Sequence, residues 1–167
     1  MSEFKIYGPY ALPTEKKKGA RLIVHSGFWN GGGYLEMLSA ARGVYVFAIK
    51  PPGASRFIPY YVGKATKSFG QEALTNDKLL KYQRALANYS YGSPHLFFVA
   101  QSSNKWSAKE IKEVEDYFIQ QGFAVNPKTE NDKGTKLPSW SVKGAIRGSK
   151  GKVSRGTSAF RSTFGLG

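Results

Sequence analysis

Apolar positions gather most densely in two short runs, Val44–Ile49 and Ile58–Val62, both rich in Val, Ile, Tyr and Phe. Pro51, Pro52 and Gly53 break the chain between them. That pattern predicts an antiparallel hairpin with a long loop. A third run, His95–Ala100, is almost continuously apolar, as expected of a strand covered on both faces. Between them Leu79, Tyr82, Leu86 and Tyr89 recur at steps of three and four, which predicts a helix over Lys78–Asn88 capped by Asn76 or Asp77. Lys81 falls opposite the apolar face of that helix and Arg84 near its edge. A shorter helix is expected near Phe69–Leu74.

A further helix is expected over Ala108–Gln121, ending at Gly122. Ser107 is its N-cap, and Glu110 stands three residues on to complete a capping box. Toward the N-terminus the pattern is weaker. Phe4–Tyr7 and Arg21–Val24 read as short strands, and Gly31-Gly32-Gly33 as a turn before a helix over Tyr34–Ala41. No GK[ST] follows those glycines, so they do not form a P-loop. The elements together predict an α+β fold: a small sheet with helices against it.

Composition sharpens this outline in three ways. With 167 residues and 41% hydrophobic content, one core is expected. No apolar run nears the ~20 residues of a membrane span, and the first residues lack the basic-then-apolar order of a signal peptide. A cytoplasmic protein is therefore expected. There is no cysteine and there are only two histidines, His25 and His95, which excludes disulfides and thiolate sites and disfavours a histidine zinc site. The third feature is charge. Twenty-five Lys+Arg against eleven Asp+Glu leave +14, a balance that draws polyanions, nucleic acid first among them. From Lys128 onward there are nine basic residues and no acid after Asp132, amid frequent Gly and Ser. Trp140, Val142, Ile146, Val153, Phe160 and Phe164 nevertheless imply a partly ordered segment packed on the core.

Two anomalies point to chemistry. At about 100° per residue, Ile111, Val114, Phe118 and Ile119 share one arc of their helix, and Glu115 falls inside it. A carboxylate in an apolar stripe needs a cation or donors to meet it. It could be a lysine-paired edge residue, or a ligand for a hard metal ion in a cleft. The second anomaly is the pair Tyr45 and Tyr61, one on each hairpin strand, each beside a glycine-bearing triplet. Either could be core. Together, on one face, their hydroxyls could position or deprotonate a water.

Gly43-Val44-Tyr45, Tyr61-Val62-Gly63 with fifteen residues between the tyrosines, and Glu115-Asp116-Tyr117-Phe118-Ile119 followed by Asn126-Pro127 occur in this order. In that ordered set the chain resembles the GIY-YIG nuclease family over about Ala41 to Pro127. The resemblance implies a small three-stranded sheet flanked by helices, forming a catalytic domain at 41–127 with an N-terminal extension at 1–40 and a basic C-terminal extension at 128–167. It also implies metal-dependent hydrolysis of DNA phosphodiesters. Glu115 would hold one Mg²⁺ or Mn²⁺, Tyr45 would align or deprotonate the water, Tyr61 would bond the water or phosphate, and Gly63 would admit the backbone. The family's arginine on the first helix has no counterpart in Phe69–Leu74. Lys64 and Arg84 are the cations expected to act in its place, though lysine lacks the bidentate fork. Lys67, Lys78, Lys143, Arg147, Lys150, Lys152, Arg155 and Arg161 are candidate contacts to DNA phosphates, RNA being the other polyanion open to them. Glu72 reads as a surface helix residue. A non-catalytic nucleic-acid-binding module on the same fold is the alternative.

Overall fold

The computed structural model describes residues 2–89, 91–102, 105–129, 131, 140–146 and 152–166. Arg147 and Lys150 lie outside the described residues. The fold is α+β, built on a curled mixed sheet of five strands rather than three. The expected hairpin is there: β4 (Gly43–Lys50) pairs antiparallel with β5 (Ile58–Ala65). β6 (Ser93–Gln101) lies on the other side of β4. The N-terminal segment supplies β1 (Ser2–Ala11), antiparallel to β6, and the C-terminal segment supplies β7 (Trp140–Val142), parallel to β1. The order is β5-β4-β6-β1-β7, so β5 is an edge. β2 (Thr14–Lys17) and β3 (Ala20–Ile23) form a separate ribbon.

Strand alternation divides the core into two halves. On one face Tyr45, Phe47, Tyr61, Leu96 and Phe98 pack under α1 (Leu35–Ala40), α2 (Phe69–Glu72) and α3 (Asn76–Ala87). On the other, Val44, Val46, Val62, Phe97 and Val99 meet α4 (Ala108–Val125), β7 and α5 (Arg155–Thr163). β6 is buried on both faces, as its apolar run predicts.

Several helix boundaries differ from expectation for local reasons. α3 begins after Thr75, not after Asn76 or Asp77, which puts Asp77 in its first turn. α4 runs through Gly122 to Val125, and Gly122 lies buried within its packed face, beside Val62 and Phe164. Its capping box is only half made. Ser107 Oγ accepts from Glu110 N at 3.3 Å, but the Ser107 amide donates to Gln101 Oε1 and Gln101 Nε2 bonds the Glu110 carboxylate. Gln101 at the end of β6 thus ties sheet to helix.

Candidate active site

β5 positions the site by pointing alternate residues to opposite faces. Tyr61 and Gly63 face α2 and α3, while Val62 and Lys64 face α4. Because β5 is an edge, residues of both faces reach one cavity there. It has a volume of about 320 Å³ and is lined by Tyr45, Tyr61, Lys64, Glu72, Thr75, Asp77, Lys78 and Glu115. The two tyrosine rings lie 6.2 Å apart between centroids. Gly63 stands directly across from Tyr45 in the ladder. A Cβ on Gly63 would come within 2.4 Å of Cζ and Oη of Tyr45, so the ring reaches the cavity only because that side chain is missing.

Glu115 is 9% exposed, and its Oε2 accepts from Lys64 Nζ at 3.0 Å. Lys112 Nζ stands 3.8 Å from the same oxygen and also pairs with Asp116. Tyr45 is fully buried and its hydroxyl makes a long 3.4 Å bond to the Glu72 carbonyl. Burial first, then Tyr61, Glu72 and Glu115, push its phenol far above the ordinary value. At neutral pH it is a hydrogen-bond donor, not a base. Tyr61 is held under two ammonium groups, Lys81 Nζ at 4.8 Å and Lys78 Nζ at 5.3 Å from the ring centre. Burial alone would lower the Lys78 ammonium, but bonds and charges from Tyr61 and Asp77 outweigh it and leave it raised. Lys78, above all, holds the Asp77 carboxyl low, with Lys81 and Arg84 adding to the effect.

The structure therefore brings together Tyr45, Tyr61, Lys64, Lys78 and Glu115 from four elements. Arg84 is exposed and does not line the cavity. Lys67 stays outside it as well, its amide bonding Glu72 Oε2 and its carbonyl accepting from Arg42. Lys143 and Lys152 line a different and larger cleft, of about 540 Å³, beside β1 and α5. Arg155 opens α5, and Arg161 Nε bonds the Leu166 carbonyl near its end. Asn126 is structural, its Nδ2 donating to the Pro59 carbonyl at 2.8 Å.

Sequence reasoning missed Thr75, Asp77 and Lys112, gave Lys81 no role in the site, and put Glu72 on the surface. For Asp77 and Glu72 the available signal was their place in helix first turns facing Tyr45 and Tyr61. Lys81 lay opposite the apolar face of α3 on the helical wheel, yet its long stem folds back over Tyr61.

The donor set suits one hard cation. Among the described residues no group of three or more His, Asp or Glu forms a protein cage. Of the three acidic residues lining the cavity, Asp77 pairs with Lys78, Glu72 accepts from the Lys67 amide and Glu115 pairs with Lys64. A carboxylate opening on a cavity, with the remaining positions left to water and phosphate oxygens, is an arrangement Mg²⁺ accepts. No helix among the described residues is long and apolar enough to cross a membrane. Comparison of the chain with protein-family models, curated proteins and solved structures found no match.

Proposed function

We propose that the protein is a metal-dependent endonuclease of GIY-YIG type, hydrolysing phosphodiester bonds of DNA. The observation that carries this reading is the convergence of Tyr45, Tyr61, Lys64 and Glu115 on one cavity from residues far apart in the chain. Glu115 would hold a single Mg²⁺ or Mn²⁺. When bound, such an ion stabilises charge developing on a phosphate oxygen. The chain's own groups do the rest. Tyr45, kept neutral by its surroundings, donates a hydrogen bond and fixes the attacking water or the phosphate. Tyr61, with the Lys78 and Lys81 ammonium groups over its ring, hydrogen-bonds the same water or phosphate. Lys64 releases Glu115 and turns to a phosphate oxygen, supplying the charge the absent arginine would otherwise bring. Water adds to phosphorus, one P–O bond breaks, and the products are a phosphomonoester and a hydroxyl.

One observation favours the alternative, a non-catalytic nucleic-acid-binding module: Lys64 and Lys112 both sit on Glu115, as they would in a purely structural ion pair. Supercoiled and linear DNA incubated with Mg²⁺ or Mn²⁺ separates the two. The expected result is metal-dependent nicking that Glu115→Ala lowers about 100-fold or more. Nicking that survives Glu115→Ala unchanged would remove the site assignment. No nicking at any salt, with binding that falls steeply as salt rises, would establish the binding module instead.

A further inference from the structure

The larger cleft, of about 540 Å³, lies beside β1 and the start of α5. Its lining holds no acidic residue and contains Lys5, Lys143 and Lys152. All three lysines are exposed, and none forms an ion pair with a described residue. Tyr34 stands at the mouth with 60% of its surface in water. It is braced edge-on by Tyr7, with ring centres 5.3 Å apart. Tyr34 thus offers an open π-face to the cleft beside three ammonium groups that have no ion-pair partner among the described residues. The volume suits one or two planar rings rather than a protein helix. The wall itself is rigid at this point. Gly156 in the first turn of α5 comes so close to β1 that a Cβ would lie 1.8 Å from the Gly8 carbonyl oxygen.

We propose that this cleft seats an unpaired stretch of a nucleic-acid strand, with a base stacked on Tyr34 and adjoining phosphates on Lys5, Lys143 and Lys152. Aromatic platforms flanked by lysines grip single strands in this way with little sequence preference. A duplex keeps its bases stacked inside and offers Tyr34 nothing. The cleft shares no lining residue with the Glu115 cavity, so it is a second site on the molecule. The inference does not rest on the nuclease reading. If both hold, the cleft favours substrates with a single-stranded branch, flap or gap.

The test is fluorescence anisotropy in EDTA, where no cleavage can occur, with a labelled oligo(dT), an oligo(rU) of equal length and a duplex. Tyr34→Ala is expected to weaken single-strand binding about 5- to 50-fold and leave duplex binding unchanged. Tyr34→Phe is expected to keep it. Lys143→Ala with Lys152→Ala should flatten the salt dependence by about 1.4 in log–log slope, as two single-strand phosphate contacts require. Anisotropy in EDTA reads binding with no cleavage, which keeps this result apart from the nuclease assay. Equal losses for single strand and duplex in Tyr34→Ala, or no loss, would overturn the proposal. So would displacement of the oligonucleotide by micromolar free deoxynucleoside monophosphate, which would assign the cleft to a nucleotide. The oligo(dT) and oligo(rU) arms tell DNA from RNA.

Discussion

Gly63 and Tyr45 are two halves of one feature. Each belongs to a triplet visible in the sequence, but their relation is steric and emerges only in the ladder, where the glycine vacates the space the phenol fills. Gly63→Ala forces the packed Tyr45 ring to move. The expected cost is about 1–3 kcal/mol, with a larger loss of any cleavage activity than of stability. Denaturant titration alongside the nicking assay checks this. His95 gives a pH test elsewhere. Burial, helped by Lys50 and opposed by the Ser93 carbonyl, holds its imidazole below the ordinary value of 6.5. Folding thus favours the neutral ring. The stability it contributes is whole above about pH 6.5 and is lost as pH falls through the unfolded value toward the lower folded one. The urea midpoint should drop between pH 7 and 5, and His95→Gln should flatten that drop relative to wild type. At this scale Tyr45, Tyr61, Lys64 and Glu115 were legible because triplets and wheel positions are local. The exclusion of Arg84 from the cavity depends on how helices meet the sheet, and no local pattern carries that; Lys112, three residues before Glu115 on the same helix, was within reach of the wheel.

Among the elements, β5 shows how an open strand edge is managed. Pro59 has no N–H to offer, and its carbonyl is taken by Asn126. Further along, the Asn131 side chain imitates a neighbouring strand: Oδ1 accepts from Val62 N at 2.9 Å and Nδ2 donates to Val62 O at 2.7 Å. Asn131→Ala removes both bonds beside a buried residue. It should cost about 1–3 kcal/mol and leave the edge free to pair with another chain. Unfolding titrations and the concentration dependence of light scattering read the two effects. The hairpin, β6 and α4 were evident from periodicity because each has one strong pattern. α5 was hidden, since Arg155–Thr163 is short and rich in Ser, Thr and Gly. Its signal was the Ser154 cap with Thr157, Phe160 and Phe164 three and four apart, a face that buries two aromatics and a threonine. β1 was legible as a strand over Phe4–Tyr7, but its place in the sheet was not, and β7 was not seen: sheet membership is decided by partners far away in the chain.

At the scale of the molecule, the sheet joins segments that composition divides. Phe160, Phe164 and Trp140 from the basic C-terminal region share a core with Phe97, Phe118 and Val44. Residues 1–127 alone would leave that face of the sheet and of α4 uncovered. Such a chain should fail to give a cooperative thermal transition and should bind hydrophobic dyes, whereas the full chain should melt in one step. Net charge was readable at once, and it places polyanion binding ahead of other partners. What composition does not reveal is its distribution: four ammonium groups at Glu115 and Tyr61, and three more around Tyr34. The position of β1 between β6 and β7 also sets a timetable. As the chain leaves a ribosome, Ile6 emerges long before Val99, the residue it must lie beside. At roughly 5–20 residues per second, the first strand waits some 5–20 s for its partner. Through that interval its Phe4, Ile6 and Tyr7 have no sheet to join, which makes the newborn first strand a natural client for whatever shields apolar chain at the exit tunnel.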